Sequence, residues 1–374
     1  MRIRGAVLSR EGADRPYVSS HPLQMRELDL DAPGTGEILV RIEAAGLCHS
    51  DLSVINGDRS RPLPMLLGHE ASGRVVELGD GVVDLAVGDR VVMTFLPRCG
   101  RCRGCMSEGR IPCEPGSAAN GAGTLLSGAV RLHDHGEDVL HHLGVSAFAT
   151  AAVVDRRSVV RVDDDVPAEV AALLGCAILT GGGAVFNAAP PSPGDRVVVV
   201  GLGGVGMSAL LAALAIDGVD VVGVDLDPAK RETASRLGAS RALAPQEAIG
   251  EGLRGDVVVE AAGAAAAFET AITLTAPGGT TVTVGLPRPE ARVPVSPLAL
   301  VAEGRRIVGS YLGSAVPERD IPRYVDLWRR GLLPIEELIS DRLPFDEINR
   351  GMDRLADGHA IRQVIDMTTE GDHR

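Results

Sequence analysis

The chain has 374 residues, 45% of them apolar and 23% charged, with a formal net charge of −13. That length predicts two domains, each able to bury its own core. The acidic balance, with no segregated basic patch, argues against a nucleic-acid partner. The start, MRIRGAVLSREGADR, has no long apolar run, so no secretory signal is evident and a cytoplasmic location is expected. In such a compartment the six cysteines suit metal binding better than disulfides. Of 37 basic residues only Lys230 is a lysine.

From Arg2 to about Val162 the sequence reads as short strands broken by Gly, Pro and Asp, such as Glu37–Glu43, Gly73–Leu78 and Asp89–Met93, the texture of a β-rich domain. A helix is expected after Asp165, with Pro167 near its first turn. From about Asp195 strand candidates alternate with helical ones: Val197–Val200, Met207–Ile216, Asp220–Val224, Ala229–Leu237, Asp256–Glu260, Ala266–Leu274 and Thr280–Val284. Such alternation predicts a parallel sheet covered on both faces. After about Tyr311 the pattern is mixed, with Ile321–Arg330 helical and Ile361–Met367 a closing strand. Val197 to Ile216 is 20 residues without a charge, long enough to cross a bilayer, but the glycine cluster inside it favours strand, turn and helix, so no membrane partner is expected.

That cluster, Gly201-Leu-Gly-Gly-Val-Gly206, is a GxGxxG. It follows a Val run, opens a helix and precedes a second strand ending at Asp225, 19 residues past Gly206. Gly201 permits a tight turn, Gly203 lets backbone N–H groups approach a pyrophosphate, and Gly206 lets the helix pack on the strand. A carboxylate at Asp225 accepts hydrogen bonds from a ribose and repels a 2′-phosphate, which favours NAD over NADP.

Cys99, Cys102, Cys105 and Cys113 fall within 15 residues, with gaps of two, two and seven. Four thiolates suit a closed, structural tetrahedral zinc. The iron–sulfur run with a last gap of three followed by Pro does not fit, since Glu114 follows Cys113. Cys48, His69 and Cys176 are too scattered for spacing to prove anything: a buried cysteine is often only a small hydrophobe.

Taken in order, GLCHSD, LLGHEASGRV, GDRVV, the cysteine lobe, HLGVSAFATAAVVD, LLGC, GLGGVG and AIRQVID resemble the zinc-containing medium-chain alcohol dehydrogenases over nearly the whole length. The resemblance implies an α/β plus β-rich fold: a GroES-like catalytic domain, about 1–177 and 312–374, and a Rossmann doubly wound parallel-sheet domain at about 178–311. The active site is expected in the cleft between them. It implies two zinc ions per chain, a structural one in the cysteine lobe and a catalytic one on Cys48, His69 and Cys176, with Glu70 an occasional ligand. Asp51 would orient His69, Ser50 would take the substrate proton, and Phe95 would wall the pocket. Gly201, Gly203, Gly204, Val205 and Gly206, with His49, Thr180, Asp225, Lys230, Val284 and Arg362, would contact NAD: His49 and Arg362 at the pyrophosphate, Asp225 and Lys230 at the ribose, Thr180 and Val205 behind the nicotinamide.

The expected activity is reversible hydride transfer between a primary or secondary alcohol and NAD, giving aldehyde or ketone, in a homodimer or homotetramer. A thiol-adduct, formaldehyde-type dehydrogenase shares the same zinc set, and a non-catalytic NAD-binding protein would be expected to lack a ligand. Two departures stand out. Ser53 occupies the position where many relatives end their proton relay with histidine, and His49 stands where Arg often grips pyrophosphate.

Overall fold

The structure, a computed structural model, describes residues 1–367. The end of the predicted catalytic domain, 368–374, lies outside the described residues. The chain divides into two compact units: residues 1–107, 111–176 and 339 onward, and residues 108–110 with 177–338.

The first unit is β-rich. One sheet closes as a barrel in the order Arg2–Leu8, Leu23–Leu30, Leu132–Asp134, Glu137–His141 and Met65–Leu66. The second runs Val159–Val162, Arg90–Met93, Ala71–Leu78, Glu37–Leu47, Arg362–Asp366 and Ile339–Pro344, with Ala151–Asp155 also paired to Glu37–Leu47. Val7, Leu28, Leu39, Leu66, Leu132 and Val153 meet in one buried cluster, which fixes the inward face of the short alternating strands. The expected strand at the chain's end is Arg362–Asp366, antiparallel to Glu37–Leu47.

The second unit holds a six-stranded parallel sheet in the order Arg241–Leu243, Asp220–Val224, Arg196–Val200, Gly255–Glu260, Thr275–Thr283 and Arg306–Gly309. Numbered along the chain this is 3-2-1-4-5-6, the doubly wound order of the Rossmann fold. Val198, Val200, Val222, Val224 and Val258 are buried beneath helical Ala248 and Ala271, as strands covered on both faces demand. The uncharged stretch 197–216 is therefore strand, turn and helix. Among the described residues one helical run, Ala168–Ala188, is long and apolar enough to cross a membrane by length and composition, and 89% of its apolar window is buried.

The predicted boundary near 311 differs from the observed one at 338, because 312–338 packs on the helix Leu179–Gly183 of the second unit. A Cβ on Gly183 would lie 2.1 Å from the Gly313 carbonyl oxygen, and one on Gly182 would lie 3.0 Å from the Tyr324 ring. Those glycines let backbone and aromatic ring come close, a contact that leaves no periodic trace in sequence.

Candidate active-site residues

In the first unit Cys48 follows the strand Glu37–Leu47 and stands at the N-cap of the helix His49–Ile55 in an extended conformation. His69 and Glu70 follow Gly68, whose φ of +94° and lack of a Cβ are both required: a Cβ there would meet the Phe148 amide nitrogen at 2.5 Å. Cys176 sits in a π-helical turn, Leu174–Ile178. Such turns re-aim side chains and recur at functional sites. Gly175 beside it packs on strand backbone, a Cβ there lying 2.1 Å from the Met93 carbonyl oxygen.

These elements bring ligand atoms of Cys48, His69, Glu70 and Cys176 within 4.8 Å of one another, all buried. Cys176 Sγ and His69 Nε2 are 3.5 Å apart. Tetrahedral zinc with bonds of about 2.3 Å to sulfur and about 2.0 Å to nitrogen separates two such ligands by roughly 3.5 Å. The donor set and its spacing therefore fit zinc.

The other ring nitrogen, His69 Nδ1, lies 3.2 Å from Asp51 Oδ1. That oxygen also accepts the Gly68 N–H at 3.0 Å. Burial pushes the Asp51 carboxyl up, but His69 and His142 together outweigh it and hold it down to about 2. Phe95 stands edge-on to the His69 ring at 5.4 Å. Burial raises Glu70 to about 7 against the pull of Arg362, whose guanidinium is 3.5 Å away. Arg362, expected at the pyrophosphate, is buried at 4% exposure and donates to the Leu47 carbonyl oxygen. His49 is exposed and Ser50 half-buried. Ser53 Oγ donates to the His49 carbonyl oxygen at 2.7 Å.

The cysteine lobe is compact. Cys99 and Cys105 sulfurs are 3.9 Å apart, as are those of Cys102 and Cys113. Tetrahedral zinc sets its thiolates about 3.8 Å apart. Backbone N–H groups of Cys99 and Gly116 point at Cys113 Sγ, that of Gly100 at Cys105 Sγ, and that of Cys105 at Cys102 Sγ. The Cys105 N–H holds Cys102 down to about 6, whereas burial pushes Cys105 up to about 12. Four thiols packed this tightly ionise together only around a cation, which is what a closed zinc site supplies.

In the second unit the GxGxxG joins the strand Arg196–Val200 to the helix Gly204–Leu214. Gly201 has φ +91°, and a Cβ on Gly206 would sit 1.7 Å from the Gly201 carbonyl oxygen. Nothing lies within 4 Å of a Cβ on Gly203, so its backbone is open to a ligand. Asp225 follows the strand Asp220–Val224 and accepts the Leu202 N–H at 2.6 Å and the Asp227 N–H at 2.8 Å. These bonds fix its carboxylate at the glycine turn. Lys230 lies on the helix Pro228–Arg236, Thr180 on Leu179–Gly183, and Val205 in the first turn after the glycines. Val284 follows the strand Thr275–Thr283 and is nearly buried.

Sequence reasoning did not single out His142, whose Nδ1 lies 3.1 Å from Asp51. Its one signal is the pair His141-His142 at the start of a family-like stretch.

Residues 34–164 match the alcohol dehydrogenase GroES-like domain, and residues 204–330 the zinc-binding dehydrogenase domain. The NDMA-dependent alcohol dehydrogenase of Amycolatopsis methanolica is 35% identical over 375 residues, covering 98% of this chain and 99% of that protein. Alcohol dehydrogenase B of Mycobacterium tuberculosis is 33% identical over 381 residues, covering 99% and 100%. The crystal structure of benzyl alcohol dehydrogenase from Acinetobacter calcoaceticus superposes with a TM-score of 0.89 at 31% identity, covering 98% of this chain and 99% of that one.

Proposed function

Because the chain belongs to the zinc-dependent medium-chain alcohol dehydrogenase family, we propose that it uses zinc and NAD to move hydride reversibly between a primary or secondary alcohol and its aldehyde or ketone. Its relatives make it an oxidoreductase acting on small alcohols or aldehydes. The observation that carries the finer reading is the buried convergence of Cys48, His69 and Cys176 at zinc-ligand spacing.

Two thiolates and one neutral imidazole would hold the metal there and leave a fourth position for substrate. A zinc ion so held supplies Lewis-acid polarisation of the substrate oxygen. Asp51 accepts from His69 Nδ1, which leaves Nε2 free as the ligand atom. Ser50, two residues after Cys48, is assigned to take the hydroxyl proton. Phe95, against His69, is assigned to the pocket wall. Arg362 balances the charge of Glu70 through Nη1 and, with His49, is assigned to the pyrophosphate.

In the second unit the open backbone at Gly203 and the N-terminus of the helix Gly204–Leu214 are assigned to the pyrophosphate. Asp225 and Lys230 are assigned to the ribose, and Thr180, Val205 and Val284 to the nicotinamide. The fixed carboxylate at Asp225 repels a 2′-phosphate, so the cofactor is NAD. Two zinc ions per chain are expected, one in each cysteine-containing cluster. A homodimer or homotetramer is proposed through the edge strand Arg306–Gly309, since Leu298 and Val301 of the neighbouring helix Pro297–Glu303 are 77% and 83% exposed. A monomer by light scattering would refute that assembly.

The test is NADH formation from a panel of alcohols, with and without added thiol. Turnover of simple alcohols without thiol supports the reading. Turnover only with thiol would assign the thiol-adduct reaction, and none with any alcohol or thiol adduct would leave a non-catalytic protein.

A further inference from the structure

Asp51 is completely buried, and two imidazoles, not one, face it. His69 Nδ1 is 3.1 Å from its Oδ2, and His142 Nδ1 is 3.1 Å from its Oδ1. The ring of His142 also packs edge-to-face on that of His69, with centroids 5.5 Å apart. His142 is held from its own backbone: its N–H donates to Ser146 Oγ at 2.9 Å, and that hydroxyl donates to the Leu66 carbonyl oxygen, also at 2.9 Å. Leu66 belongs to the strand just before Gly68 and His69.

We propose that His142 is a positioning residue for the metal: its ring, with Nδ1 3.1 Å from Asp51 and its edge against His69, confines the carboxylate that in turn aims His69 Nε2. The inference rests on the reading that Cys48, His69 and Cys176 hold zinc.

A buried imidazole is an expensive way to fill space, because its ring nitrogens must be desolvated. An apolar side chain would fill the same volume at less cost. Asp51 is the only carboxylate that the His142 ring meets among the described residues. The carboxylate's last torsion is soft, so one ring and one amide on it leave freedom to rotate. A second ring abutting Oδ1 at 3.1 Å, carried by a backbone already tied to Leu66, removes that freedom. His69 is then bounded by Phe95 and His142 edges and addressed by a fixed acceptor. Groups that orient a metal-bound histidine typically contribute about 10–100-fold to metal affinity. His142 acts one bond further out, so the low end of that range applies.

Zinc release from the holoenzyme into a chromogenic chelator tests this without reference to turnover. The phase of release that Cys48→Ala eliminates reports the Cys48 site, and the remaining phase reports the cysteine lobe. His142→Phe and His142→Leu remove the polar ring edge that faces Asp51 while filling the space. His142→Asn places an amide N–H near the position of Nδ1. The Cys48-site phase is expected about tenfold faster in Phe and Leu and within about twofold of wild type in Asn, with the lobe phase unmoved in all. The ligand-field bands of the cobalt-substituted enzyme should shift in Phe and Leu and return in Asn. If Phe does not fold, Leu carries the same comparison. Equal release from all variants, or Asn as fast as Leu, overturns the role of His142. Wild type with no zinc sensitive to Cys48→Ala would instead remove the metal reading itself.

Discussion

The His141 ring makes the stability of the first unit depend on pH in a calculable way. It ends the strand Glu137–His141 at 1% exposure, and its Nε2 accepts the Arg131 N–H at 3.0 Å. Protonating Nε2 would destroy that acceptor and bury a cation. Burial, reinforced by the charges of Arg131 and His133, lowers the imidazole from 6.5 to about 3. The unfolded chain therefore binds a proton near pH 6.5 that the folded chain refuses until about pH 3. Stability from this group is intact above pH 6.5 and is lost as the pH falls through that window. At pH 5 the loss is about 2 kcal/mol, from roughly 1.4 kcal/mol per unit of pH. His141→Gln keeps an acceptor for the Arg131 amide and does not titrate. Urea unfolding of both proteins at pH 7 and pH 5, run in parallel so that carboxylates and metal ligands cancel, should show a pH decrement about 2 kcal/mol smaller in the variant. Equal decrements in the two proteins would refute the argument.

Cys99→Ala should lower the thermal midpoint while sparing the kcat of the molecules that remain folded, because the cysteine lobe is remote in role from hydride transfer; calorimetry beside active-site-normalised rates checks this. Asp225→Ser should raise NADP use relative to NAD, since the carboxylate now fixed by Leu202 and Asp227 no longer repels a 2′-phosphate; kcat/KM for both cofactors reads it, and wild type already indifferent to the two would defeat the carboxylate argument. His49→Arg should slow NADH dissociation and steady-state alcohol oxidation while leaving the hydride step unchanged, because an always-charged fork grips phosphate more firmly than imidazole. Equal stopped-flow off-rates from pH 6 to 9 would place His49 away from the pyrophosphate.

The second unit was readable because its signals are local. Strands such as Arg196–Val200, buried on both faces, are valine runs, and glycine turns and helical stretches of opposite periodicity separate them. The cysteine lobe was readable for the same reason: one short segment holds all its donors. The barrel was not, because two of its strands are Leu132–Asp134 and Met65–Leu66, too short to show alternation. Arg362 shows what a motif leaves out: the sequence offers the residue, but only packing shows that its Nη1 lies 3.5 Å from Glu70 and donates to the Leu47 carbonyl oxygen. His142 and Asp51 lie far apart in the chain, and no pattern of spacing joins them; the barrel strands and the helix His49–Ile55 do.

Zinc on Cys48, His69 and Cys176 is proposed to let this chain oxidise alcohols with NAD. The direct measurement is zinc content together with NADH formation from alcohols, in wild type and Cys48→Ala, with NADH binding followed by fluorescence in both. Two zinc ions per wild-type chain and one in the variant are expected, with turnover abolished and NADH still bound. Alcohol oxidation at wild-type rates in a Cys48→Ala protein that has lost one zinc would contradict it.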